Sequence, residues 1–141
     1  METADVRKRV RDAMTRAKQR AADRRTHVDA STRAFDRFLN QTAIPLMRQI
    51  ANVLRAEGYQ FSVGTPSGSV RLVSDTSNQD LIEIFLDAAG DAARVVGHVS
   101  HSRGRRVIDA EHVVAQGDPE AITEDELLTF LLKELEPFVE R

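Results

Sequence analysis

The apolar residues of this chain change period at Gly58, and the change limits what can fold on either side of it. Before it, Val6, Val10, Met14, Ala17, Ala21, Val28, Phe35, Leu39, Leu46, Ile50 and Leu54 recur in a helical rhythm. Val6, Ala17, Val28, Leu39 and Ile50 lie eleven apart throughout. Three turns of about 3.67 residues nearly match a straight α-helix, so the spacing predicts helix over residues 5–57. Pro45 lies inside this run. It lacks a backbone donor and disfavours helix at the preceding residue. The reading is therefore one long helix to about Asn40 and a second from about Ala43 to Glu57, capped by Thr42, with Gly58 as a left-handed stop. Arg24, Arg25 and Thr32 thin the stripe. The first 25 residues rely on alanine and are expected to fray as a basic arm unless something covers them.

After Gly58 the period is two. Phe61 and Val63, then Val70 and Leu72, flank a turn at Thr65-Pro66-Ser67-Gly68. Asp75 to Asp80 form a polar loop. Leu81 to Asp87, Ala93 to Ser102 and Arg105 to Val114 read as three further strands, with turns around Gly90 and Gly104. Thr123 with Glu126 reads as a capping box opening a last helix from Glu124. One side of it carries Leu127, Leu128, Leu131, Leu132, Leu135 and Phe138, and Pro137 is expected to weaken its final turn. The chain is expected to be a single α+β domain over residues 1–141: two N-terminal helices, the first long and basic, then a five-stranded antiparallel meander and one C-terminal helix.

Short turns set strand register. A two-residue loop at Arg103-Gly104 places Val99 opposite Ile108, Val95 opposite His112 and His98 opposite Asp109. A turn centred on Ala89-Gly90 sets Ile84 against Val95 and Leu86 against Ala93. The first turn sets Phe61 against Leu72 and Val63 against Val70. One face then carries Ile82, Ile84, Leu86, Val95, Val99, Ile108 and Val114 and is the expected core face. The other mixes Glu83, Arg94, His98, Arg105, Asp109 and Glu111 with Leu81, Phe85, Val96, Val107 and Val113, too apolar for a face left wholly in water.

Charge is segregated along the chain. Residues 1–58 hold 13 Lys/Arg against 7 Asp/Glu, and residues 59–141 hold 7 against 15. The halves are suited to attract each other, within a chain or between chains. The sequence holds no cysteine, which excludes disulfides, thiol nucleophiles and thiolate metal sites and suits a reducing compartment. No apolar h-region opens the chain and no apolar run is long enough to span a bilayer, so the cytoplasm is the expected location and no membrane partner is expected.

The residues that could carry chemistry do not assemble a reaction. His98 and Asp109 resemble a base and its orienter, but Ser100 lies two residues along the same strand, out of reach as a nucleophile. His98 points to one face and His101 and His112 to the other, so no metal site is expected. No glycine-rich phosphate loop is present and no cofactor is expected. Arg103, Arg105, Arg106 and His101 crowd one turn, where guanidinium groups can take an anion or an acidic partner. The basic residues of the first 25 positions spread around the helix and interleave with Asp5, Asp12 and Asp23, a poor match to a nucleic-acid stripe, although phosphate contact through the arm is the alternative reading. A pocket for a small molecule between sheet and helices is a third. The leading expectation is a non-enzymatic interaction module. A helix over residues 5–40 would be about 54 Å long at ~1.5 Å per residue, against a domain about 30–35 Å across. Its stripe of Val6, Val10, Met14 and Ala17 would then need a second chain, making the protein a homodimer.

Overall fold

The computed structural model describes residues 1–90 and 92–140. The chain divides into two compact units, Met1–Ala30 and Ser31–Arg141. The first unit is helical and belongs to α1 (Thr3–Phe38). No side chain before Ser31 is buried; Ala21, Ala22 and Val28 are half-buried.

In the second unit, the last turns of α1 bury Ser31, Ala34, Phe35 and Phe38. The helix does not break before Pro45, contrary to the sequence reading. Leu39–Ala43 form a widened π turn that leads directly into α2 (Ile44–Ala56), and the Ile44 N–H donates to the Leu39 carbonyl five residues back. The proline ring clashes with the carbonyl four residues back in a regular α-helix. Widening the turn at that point relieves the clash, and Pro45 falls in the first turn of α2, where a missing donor costs least. Gly58, at φ +93°, ends α2. Its N–H donates to the Arg55 carbonyl and that of Tyr59 to the Leu54 carbonyl, the paired bonds of a left-handed helix stop.

The strands are β1 (Phe61–Gly64), β2 (Ser69–Ser74), β3 (Leu81–Asp87), β4 (Arg94–Arg103) and β5 (Arg106–Gln116), all antiparallel and in sequential order. The registers differ from those expected. The last hairpin closes through Gly104 and Arg105, so Arg103 faces Arg106, Val99 faces Ala110 and His98 faces Glu111. Positive φ occurs at Gly104 (+65°) and not at Arg105. Glycine at the first central position is the preference of a II′ turn, whereas a loop of Arg103 and Gly104 in I′ form would force positive φ on arginine. The other hairpins pair Leu86 with Val95, Ile84 with Gly97, and Val63 with Leu72. Each pairing has slipped by two residues, so every side chain keeps its expected face. A bulge between Val95 and Val96 leaves Val95 opposite Ala115.

A 3₁₀ turn (Pro119–Ala121) leads into α3 (Glu124–Val139). The Thr123 hydroxyl accepts from the Glu126 N–H and donates to the Glu126 carboxylate, both at 3.1 Å. The helix continues through Pro137 to Val139. Together α2 and α3 cover one face of the sheet. Met47 and Ile50 of α2, and Leu127, Leu131 and Phe138 of α3, pack on Val70, Leu72, Ile82, Ile84, Val95 and Val99. Ile108, expected in this core, is exposed, because β5 is an edge strand reaching past the helical cover.

Candidate interaction surfaces

The first surface is the N-terminal helix. Val6, Val10 and Met14 are 43%, 50% and 52% exposed, and Ala17 is exposed with them. Their spacing of four, four and three keeps them on one line of the helix. The same 30 residues carry nine Lys/Arg against five Asp/Glu. No helix among the described residues is long and apolar enough to cross a membrane.

The second is the sheet face opposite α2 and α3. The register arranges it in rows across the strands: Val73, Leu81, Ser100 and Asp109 in one, Arg71, Glu83, His98 and Glu111 in the next, then Ser69, Phe85, Val96 and Val113. The Arg71 guanidinium donates to Glu83 at 2.8 Å, and Ser69 adds a bond to the same oxygen at 3.3 Å. His98 Nε2 lies 2.9 Å from Asp109 Oδ1. The two are diagonal neighbours instead of direct partners, and their side chains meet despite the slipped register. Ser100 stands directly across from Asp109 but makes no hydrogen bond to the ring. The expected mixed character holds: Val96 is buried among its neighbours, Leu81 and Phe85 are half-buried, and Val113 is exposed.

The arginine-rich hairpin tip is divided. His101 packs edge-on against Phe138, ring centroids 5.9 Å apart. With Arg103 it lines a shallow depression of about 190 Å³, together with Ser102, Pro137 and Glu140. Arg106 stands opposite Arg103, and Arg105 lies in the turn. The structure thus brings His101 and Arg103 to one depression but sets the Glu140 carboxylate beside them, which opposes an anion there.

Three polar contacts escaped the sequence reading. Asp80, nearly buried, accepts from the Ser102 N–H at 2.7 Å and the Ser102 hydroxyl at 3.1 Å, tying the start of β3 to the end of β4. His112 Nδ1 meets the largely buried Glu134 of α3 at 2.7 Å. Arg55 of α2 donates to the Phe61 carbonyl and to Ser62, both at 2.8 Å, and lies 3.5 Å from Asp75. All three join elements of the scaffold. No group of three or more acidic or histidine side chains among the described residues is placed to hold a metal ion.

A third surface also escaped it. An open apolar groove of about 350 Å³ runs between α2 and α3 on their outer side. Leu46, Ile50, Val53 and Leu54 line one wall and Leu128, Leu132 and Leu135 the other, with Gln49 and Glu124 at the rim. Val53 is 63% and Leu132 53% exposed. The signal was present in α3: six apolar residues make a stripe too wide for one buried face, and Leu128 and Leu132 form its second line. Compared with protein families, curated proteins and solved structures, the chain matches none.

Proposed function

We propose that this chain is a non-enzymatic interaction module that associates with a second copy of itself through its N-terminal helix, with the mixed sheet face as a further surface for a protein partner. The observation that carries this reading is the line of Val6, Val10 and Met14, about half exposed on a helix that has no buried side chain before Ser31. Isolated helices are marginal in water without a packed face. Full burial of a valine or methionine side chain contributes roughly 1.5–3 kcal/mol, so covering this line supplies what the helix lacks. The polar pairs each join two structural elements, which supports a scaffolding role for them. A cysteine-free chain suits a reducing cytoplasm.

Sedimentation equilibrium tests the reading. The full chain is expected to dimerise at micromolar concentration, and removal of residues 2–25 to weaken the dimer by about tenfold or more, near 1.4 kcal/mol. Added salt weakens it further where the basic arm meets acidic surface. A monomer at high concentration and low salt, with sharp, mobile NMR signals for residues 2–25, would overturn the proposal and favour phosphate contact by the basic arm instead.

A further inference from the structure

Two unpartnered apolar features have matching shapes. The arm offers a single ridge, Val6, Val10, Met14 and Ala17, spaced four, four and three. The groove offers two ridges: Leu46, Ile50 and Val53 on α2, and Leu128, Leu132 and Leu135 on α3, each spaced four and three. A ridge of one helix packs between such rows of two others, which is the ordinary way a third helix joins a pair. The apolar stretch of the arm, twelve residues from Val6 to Ala17, spans about 16 Å at ~1.5 Å per residue. That is long enough to cover the eight-residue ridges of the groove, Leu46 to Val53 and Leu128 to Leu135, from end to end.

The charges match as well. Residues 1–30 carry nine Lys/Arg and five Asp/Glu, a net of +4. Helix α3 carries five Asp/Glu and Lys133 alone, a net of −4. Glu124, Asp125 and Glu136 are all exposed along its outer side. Helix α2 carries Arg48 and Arg55 and no acid, so the two walls together are net −2, with Glu124 the charged residue at the groove itself; a basic helix with an apolar ridge complements the groove in pattern and, on its α3 side, in sign.

We propose that the α2/α3 groove is the docking site for the N-terminal helix of a second copy. This rests on the self-association proposed above and names the surface that receives the arm. Each copy has one arm and one groove, so two copies exchanging arms satisfy both features twice and close the assembly without leaving either exposed. The alternative occupant of the arm is the arm of the other copy, which would bring two basic segments together and leave the groove open.

Two full-length variants separate these cases. Val10→Glu with Met14→Glu spoils the arm, and Val53→Glu with Leu132→Glu spoils the groove. All four positions are about half exposed or more, and circular dichroism checks the fold of each variant. Either variant alone is expected to raise the dimer dissociation constant by more than about tenfold. An equimolar mixture is expected to regain association, because one intact arm then meets one intact groove. A second measurement needs no destabilising change. The chain has no cysteine, so Ala13→Cys, exposed on the arm beside the ridge and not on it, accepts a spin label uniquely. Mixed with unlabelled, isotope-enriched wild type, it is expected to broaden the methyl signals of Val53, Leu128 and Leu132. Loss of the dimer in the arm variant alone, with no broadening at those methyls, would overturn the groove assignment and leave self-association standing. A wild-type chain that stays monomeric would remove both.

Discussion

Phe130 of α3 lies across the middle of β4, and the strand accepts its ring by carrying glycine at position 97. A Cβ built there would lie 2.6 and 2.7 Å from two ring carbons, closer than packed carbons approach. Glycine within a strand pattern marks such a close approach, but which ring fills the space was not legible from one dimension. Gly97→Ala is expected to destabilise the fold by about 1–3 kcal/mol, as overpacking does. The half-buried Phe130 can yield only in part. Urea unfolding measures the cost, which should shrink when Phe130→Leu is added; a cost unchanged in the double variant would mean that the ring is not the obstacle. A second residue-scale effect is electrostatic. Asp87 accepts from Arg94 at 2.6 Å and from the Ala89 N–H at 3.0 Å, which together hold its carboxyl below the ordinary aspartate value. Arg37 does the same for Glu120. A carboxyl depressed in the folded state stabilises it fully above the unfolded value, near pH 4. That stabilisation is lost as the pH falls through the lower folded value. Carbon-detected titration of Asp87 should therefore give a midpoint below that of a free aspartate, and Arg94→Gln should move it up; an ordinary midpoint in the wild type would contradict the contact.

At the scale of elements, the sequence specified faces and left register open. Alternation has period two, so a slip of two residues leaves every apolar side chain on the same side. Matching Val99 with Ile108 or with Ala110 is equally consistent with the pattern. What decides is backbone conformation in the turn: Gly104 takes the first loop position, and no reading of apolar residues carries that information. The faces, strand count and sequential order were legible because burial enforces them. The helical interruption was misread because proline was weighed without the π turn that accommodates it. Among the candidate surfaces, the arm stripe was visible as periodicity, and the mixed sheet face followed from alternation. The groove was not visible, because it exists only where two helices lie side by side. The sequential order also makes β5 an edge strand. Its amides alternate between pairing with β4 and facing outward. Hydrogen exchange along Arg106–Gln116 should accordingly alternate between slow and fast residues, while residues 81–85 of β3, paired on both sides, should be slow throughout; uniform protection of β5 would mean that another chain covers the edge.

For the whole molecule, the buried core begins at Ser31 and its largest contributors are spread from Phe35 to Phe138. The 30 residues before it contribute charge and one apolar line. The core is thus built from residue 31 onward, and a substitution on the apolar line of the arm leaves it untouched. The neighbour-to-neighbour order of the strands has a consequence during synthesis. Each strand finds its partner in the one made just before it, so the sheet can assemble as it leaves the ribosome. Its apolar face cannot be sealed then, because Leu127, Leu131, Leu135 and Phe138 are made after all five strands. Between the completion of β5 and the docking of α3, a nascent chain has α2 over β1 and β2 but leaves Val95 and Val99 of β4, the strand that α3 covers, without their cover. That interval, and not any weakness of the finished fold, is when a chaperone would find the most to bind.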